Sequence, residues 1–501
     1  MKNLLVLLIL LQMVTYAKQP NIVFLMTDDQ RWDCFGAYGR PEFETHHLDQ
    51  LAKQGVVFDR AYHTVAICMP SRATVFSGRY FYNHQVGFTP PYNFTYSHND
   101  FDKSYPAQLK KAGYRTGFIG KFGFAVTEEA YQTKGAVTKY SYEEHVKRYF
   151  DFFAAQGVHV KTPTELWPVD SRLKEIYSKT RPENERTLKT GDAMIHFLET
   201  HNTEQPFCLS VSFFAVKNDK DKDMYPEHKK KFESVNFSPP ENWVEGKNEN
   251  LPEVLDNWRG VGLHRARTST IGLYQKINRR FAAQGYTVDL QVGRLVKKLE
   301  EMGQLDNTII IYTSDNGRFH GSHGLYDKAI HYNESMKAPL IIFDGRLQDD
   351  LRGRRIDSLV SMVDIAPTIL SMAGVNQPEM MQGRDFSKMI EGTQGDAVHR
   401  EYVYNESLFL SALHQARNDP KVNEINESLI ANNKSYRCRG LTSKRYKYFI
   451  YYEHDPVIEE LYDQIADPQE MNNLVNDMRY KSVLEKMRAD TVHYHETIRK
   501  K

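Results

Sequence analysis

Cysteine is scarce in this chain, four in 501 residues, which excludes a disulfide scaffold as the source of its stability. Net charge is nearly absent as well. The 65 Lys and Arg against 64 Asp and Glu leave +1, so no global field draws the chain to nucleic acid or to an anionic membrane. Any anion must therefore be bound locally. Beyond the N-terminal segment no uncharged apolar run is long enough to cross a bilayer, and no internal repeat is evident. Apolar residues, at 41%, are those of an ordinary globular protein. A chain of this length exceeds one core, so a large domain with a smaller one beside it is expected.

The N-terminal segment combines Lys2, an apolar run from Leu4 to Leu11, and the small residues Thr15 and Ala17. This pattern reads as a secretory signal peptide over residues 1–17, which places the mature, soluble protein in a periplasm or outside the cell. Cys34, Cys208 and Cys438 read as small buried residues, or as one pair plus a spare. The run PFCLSVSFF favours a buried strand around Cys208. Sequons such as those at Asn93 and Asn333 arise often by chance and carry little weight.

The run Asn21–Met26 is continuously apolar and ends in Thr27, Asp28 and Asp29. It predicts a strand buried on both faces of a sheet. Thr308–Tyr312 repeats the pattern and is soon followed by Ser314, Asp315 and Asn316. Two buried strands thus deliver oxygen donors just beyond their carboxyl ends, the edge where open parallel sheets bind ligands. Between them, helical stretches (Leu48–Gln54, Pro106–Ala112) alternate with strand-like ones (Val56–Phe58, Thr116–Ile119), the order of an α/β domain. From Thr287, one face carries Val288, Val292, Leu295, Val296 and Leu299 with charges opposite, predicting a surface helix that feeds the second strand. After the helical Val363–Ala373 the sequence turns polar. It then gives strands at Glu401–Tyr404 and Tyr446–Tyr452, a hairpin flanking Thr442, Ser443 and Lys444, and an amphipathic helix from Lys481. The boundary falls near Gly374, giving domains of residues 18–374 and 375–501.

Asp28, Asp29, Asp315 and Asn316 are hard oxygen donors with no His or Cys cluster nearby, a set that suits calcium or magnesium rather than zinc. One acidic pair after a strand is most simply a cap or a solvated turn. Two matching pairs favour a metal. The segment AICMPSRATVFSGRY adds Cys68, Pro70, Ser71 and Arg72, then Gly78 and Arg79.

This CxPSR…GR pattern resembles the signature of the type I, formylglycine-dependent sulfatases. NIVFLMTDDQ, GYRTGFIGK, SDNG with HGLYDK, ESMKAPLII, SKRYKYF and ELYDQIADPQEMNNL follow in the family's order, so the resemblance spans nearly the whole mature chain. It implies an alkaline-phosphatase-like α/β domain with a mixed sheet flanked by helices, and a smaller C-terminal α+β domain with an antiparallel sheet. It further implies that a separate formylglycine-generating enzyme oxidises Cys68 to formylglycine (3-oxoalanine), whose hydrate is the nucleophile. Asp28, Asp29, Asp315 and Asn316 would bind one calcium per chain with residue 68. Arg72, Lys121 and Lys328 would hold the nucleophile or the sulfate. Calcium and fixed cations neutralise sulfate oxygens and stabilise charge as the ester bond breaks. A hydrate can expel sulfate by re-forming its carbonyl, which divides one hard displacement into two easier steps.

The sequence departs from the family at two places. Gly123 stands where a histidine is common, and Lys217, in SFFAVKND, stands where a second one is usual. Lys217 is therefore a candidate acid for the leaving alcohol, its value of about 10.4 expected to fall beside calcium, Lys121 and Lys328; the alternative is a contact to sulfate or a carboxylate. One of His320, His323 and His331, which surround Lys328 in sequence, could supply the missing proton instead, and His323 is also a candidate substrate contact, while His63 and His84 read as structural. The run Lys217–Asp223 reads as a solvated loop. The expected substrate is a sulfated carbohydrate. Two other readings stand beside it: a phosphonate or phosphate ester hydrolase of the same superfamily, which the Asp315–Asn316 pair disfavours, and a glycan-binding protein with unmodified Cys68.

Overall fold

A computed structural model describes residues 18–88, 92–132, 145, 147–156, 165–178, 182–217, 224–394, 398–407 and 421–500. The N-terminal segment 1–17 and most of the Lys217–Asp223 run lie outside them. At the centre Asn21–Thr27 runs parallel to Thr308–Ser314 on one side and to Phe207–Ser212 on the other. Beyond Phe207–Ser212 follow Arg115–Lys121 and Phe152–Gln156, both parallel, and then antiparallel Glu165–Trp167. Beyond Thr308–Ser314, Leu340–Asp344 turns antiparallel and pairs with Val56–Tyr62, which also carries Lys337–Ala338 and Arg354–Ser361. Among the described residues this makes a mixed sheet of ten strands.

The apolar runs are continuous because both faces of the sheet are covered. Ile22, Phe24, Met26, Ile309 and Ile311 enter one core, packed with Met69, Ala73 and Phe76 of the helix Cys68–Ser77 and with Ile365 and Ile369 of Ile365–Met372. Their neighbours Val23, Leu25, Ile310 and Tyr312 enter the other. That second core is closed by Ile277, Phe281, Val288, Val292, Leu295 and Leu299 of one long helix, Ile271–Glu301. This helix begins well before the Thr287 start expected from periodicity. Its first half carries buried Asn278 and Gln284 on the packed face, and these polar residues blur the apolar stripe.

The four-stranded antiparallel sheet contains Val403–Ser407, Cys438–Thr442, Tyr446–Tyr451 and Ile458–Asp463, with the expected hairpin closing at Thr442↔Lys447. The helix Lys481–Arg499 packs Leu484, Met487 and Ile498 against Leu441, Tyr448 and Leu461 of this sheet. All four cysteines are buried free thiols. No described helix is long and apolar enough to cross a membrane.

Beneath the small sheet, Glu460 is fully buried and accepts hydrogen bonds from the Tyr332 hydroxyl at 2.7 Å and from Tyr462. Burial outweighs these donors and raises its carboxyl to about 7. Below the ordinary value of 4.5 both folded and unfolded chains hold the proton, so this contribution to stability is fully present. Above 4.5 the unfolded chain ionises first, so the contribution falls until pH passes about 7 and is constant beyond. Denaturant midpoints measured across this range should fall, by on the order of 3 kcal/mol in total from this group. In Glu460→Gln that part of the slope should vanish; an unchanged slope would assign the pH dependence elsewhere.

Candidate active site

Four parallel strands end at one edge of the large sheet, and their ends assemble the site. Thr27 pairs with Ser314, so Asp28 and Asp29 leave their strand beside Asp315 and Asn316. Arg115–Lys121 ends on Lys121 at the same edge, and the chain after Phe207–Ser212 brings Lys217. Asp29 has φ +63°, which turns its N–H to donate to Asp315 Oδ1 at 3.0 Å. Asn316 Nδ2 donates to Asp29 Oδ1 at 2.8 Å.

Cys68 is the first residue of a helix whose ten residues are all buried, and Gly78 closes it in the left-handed region with its N–H on Thr74 O. The GR half of the motif is thus structural: Gly78 ends the helix, and Arg79 binds Asp100 at 3.1 Å and the Asn83 carbonyl at 2.8 Å. Phe76 fixes the helix against the rings of Tyr105, Phe118, Phe122 and Phe124. Cys68 stands at the positive end of the helix, where developing negative charge is favoured.

Four cations meet three carboxylates around this thiol. Lys121 pairs with Asp28 Oδ2, and Lys217 Nζ lies 3.3 Å from Asp28 Oδ1 and 3.3 Å from Cys68 Sγ. Lys328 pairs with Asp29 and lies 2.9 Å from Cys68 Sγ and 3.0 Å from Asn316 Oδ1. Arg72 Nε binds Asp315 Oδ2 at 2.9 Å, while its Nη1 reaches the Lys121 carbonyl at 2.6 Å and the Ser212 hydroxyl. Asp28, Asp315 and Asn316 are wholly buried, whereas the Lys217 side chain is 30% exposed. Burial raises the Asp28 carboxyl, but Lys121, Lys217 and Arg72 outweigh it and hold it well below the usual range. Asp29 is held down likewise by Lys217 and Lys328.

The donor set fits a hard cation. Ligand atoms of Asp28, Cys68 and Asp315 lie within 4.8 Å of one another, with Asp28 paired by the Lys121 ammonium and Asp315 by the Arg72 guanidinium. A divalent ion offers these oxygens the same compensation.

The structure differs from the sequence reading in two respects. Lys217 was expected below its ordinary value. Burial does lower it, but the carboxylates of Asp28 and Asp29, with no ion to neutralise them, outweigh burial and hold the ammonium well above that value. His323, expected to contact substrate, is buried and stacked on Tyr332 at 4.3 Å, with Nε2 3.4 Å from Glu334 and 3.2 Å from Asn242. It braces a buried carboxylate instead of facing the thiol. His320 packs on Phe281 at 4.0 Å and His331 on Phe449, both fully buried and with lowered proton affinity.

Arg318 was missed. Its Nη1 binds Asp29 Oδ2 and the Lys217 carbonyl, each at 3.1 Å, so it fixes both a donor and the backbone of Lys217. Its one signal is a charge directly after SDNG.

Gly123 has φ +98°, and a Cβ there would lie 2.5 Å from Arg72 Cδ. The arginine stem thus occupies the space that a side chain at 123 would need. Gly123→Ala should therefore displace Arg72 and lower turnover about tenfold or more; unchanged kcat would show that Arg72 tolerates the shift.

A family model described as Sulfatase matches residues 20–375, and one described as N-sulphoglucosamine sulphohydrolase, C-terminal, matches residues 321–497. The chain is 27% identical to an N-acetylglucosamine-6-O-sulfatase of Bacteroides thetaiotaomicron, over 92% of this chain and 84% of that one. It is 26% identical to the N-acetylglucosamine-6-sulfatase of Homo sapiens, over 91% and 81%. A solved structure described in complex with its substrate D-glucosamine-2-N,6-O-disulfate shares the fold with TM-score 0.74 at 23% identity, covering 96% of this chain and 99% of that one. The phosphonate monoester hydrolase of Agrobacterium radiobacter shares it with TM-score 0.74 at 20% identity, over 96% of both chains.

Proposed function

We propose that this chain, which belongs to the sulfatase family and is a sulfuric ester hydrolase, removes sulfate from a sulfated carbohydrate. We further propose that it does so with calcium held by Asp28, Asp29, Asp315, Asn316 and residue 68, and with a formylglycine made from Cys68. What carries this reading is the convergence of three buried carboxylates and one carboxamide on a cysteine at the first position of its helix, ringed by Lys121, Lys217, Lys328 and Arg72. When bound, calcium supplies charge for the sulfate oxygens, and the hydrated aldehyde of residue 68 supplies the attacking hydroxyl.

The protein's own residues do the rest. Lys217 and Lys328, at 3.3 Å and 2.9 Å from Cys68 Sγ, receive the anionic sulfate and orient it over residue 68. Lys121 faces the same point from the sheet. Arg72 ties three strand ends together and holds Asp315 in place. Burial excludes water and strengthens each of these charges. Lys217, 3.3 Å from both Asp28 Oδ1 and Cys68 Sγ, thus acts as a sulfate contact.

The names of the relatives direct the first assay to 6-sulfated N-acetylglucosamine. Protein from its native host should release sulfate, lose that activity on chelation and regain it with calcium. Release that ignores chelation would sink the metal assignment. The phosphonate monoester hydrolase likeness makes aryl phosphonates the control, and faster turnover of phosphonate would overturn the sulfate reading. Maturation by a formylglycine-generating enzyme, export, and the division at residue 374 belong to the same proposal.

A further inference from the structure

A second cluster of ligating side chains lies outside the site at Cys68. His98 opens the short helix His98–Phe101, Glu128 follows the strand Ala125–Thr127, and His145 stands beyond both in sequence. One ligand atom from each lies within 4.8 Å of the others. His98 Nε2 touches His145 Nδ1 and lies 4.0 Å from Glu128 Oε2.

His98 Nδ1 lies 2.6 Å from the Tyr149 hydroxyl, which also lies 3.4 Å from the His98 carbonyl. An outer hydrogen bond at Nδ1 orients the ring and leaves Nε2 facing His145 and Glu128, the arrangement that holds a ligating imidazole in place. Burial, together with His145 and Arg148, lowers the proton affinity of the His98 ring. His98 is 5% exposed while Glu128 is 73% exposed, so a rigid inner ligand faces an outer one that can close from solvent.

We propose that His98, Glu128 and His145 bind one divalent transition-metal ion of the zinc class. Two imidazole nitrogens and one carboxylate select borderline metals over calcium, the reverse of the all-oxygen set at Asp28, Asp29, Asp315 and Asn316. Ligation requires the two ring nitrogens to part to about 3.3 Å, as two bonds of about 2.0 Å at a tetrahedral angle impose. A turn of the half-buried His145 ring supplies this, and water completes the shell. The ion ties three separate chain segments together and acts as a structural clasp.

The test is titration of chelator-treated, full-length protein with Zn2+ alone, in calcium-containing buffer, followed by calorimetry. One site is expected whose affinity falls about tenfold or more in both His145→Ala and Glu128→Gln. Zn2+ should raise the melting temperature of the parent protein and not of the variants. Both variants should keep the circular dichroism spectrum and the sulfatase turnover of the parent. Equal Zn2+ affinity in the parent and both variants would place the ion elsewhere and overturn the proposal, as would no saturable binding to the parent.

Discussion

Cys68→Ala is expected to lower sulfate-ester turnover by at least about a thousandfold, the scale of losing a nucleophile in a covalent mechanism. Its effect on stability should be small. The Cys68 side chain is one of ten buried in its helix, and the anchoring falls to Met69, Ala73 and Phe76 in the core. Removing one sulfur leaves the helix held by those side chains and capped by Gly78. The variant should also keep the metal, because Asp28, Asp29, Asp315 and Asn316 remain. Stopped assays on sulfated sugar, with melting curves run beside them, separate the two effects. Turnover within about tenfold of the parent would mean that position 68 does not carry the chemistry. Lost turnover with a large fall in melting temperature would mean that the helix, and not the nucleophile, had failed.

Arg72→Leu is expected to have the largest effect on stability. Its guanidinium and Asp315 form a pair exposed by 1% and 0%, and the arginine also holds the Lys121 carbonyl and the Ser212 hydroxyl. Removing one partner leaves a buried carboxylate short of charge, with Lys121 at 3.9 Å as its nearest remaining cation. The cost of breaking such a pair is about 3–5 kcal/mol. Chelated protein shows it most clearly, because a bound ion would itself compensate Asp315. Adding Asp315→Leu should recover part of the loss, since the double variant buries no orphaned charge. Denaturant midpoints of the four chains give the coupling. A shift below about 1 kcal/mol, or strict additivity, would contradict the arrangement described.

Much of the scaffold was legible in sequence because a strand buried on both faces has little freedom in composition. Asn21–Thr27 and Thr308–Ser314 stood out as unbroken apolar runs, and their order told which polar residues would stand at the sheet edge. The start of the Ile271–Glu301 helix did not stand out, because its packed face there includes Asn278 and Gln284. The donors at the two strand ends were legible from local chemistry, whereas Lys121, Arg72 and Lys328 entered through the family pattern. What remained hidden depended on distant partners. Arg318 meets Asp29 across 289 positions of chain, and the reason for Gly123 lies in the stem of Arg72. The sign for Lys217 also needed geometry, since proximity to Asp28 and Asp29 decides it and no spacing reveals that.

The most direct test is the intact mass of the peptide containing Cys68, taken from protein made in its native host. The account predicts the mass loss of a thiol converted to an aldehyde, or the corresponding hydrate, in preparations that turn over sulfated sugar. Active preparations in which residue 68 is uniformly an unmodified thiol would contradict it.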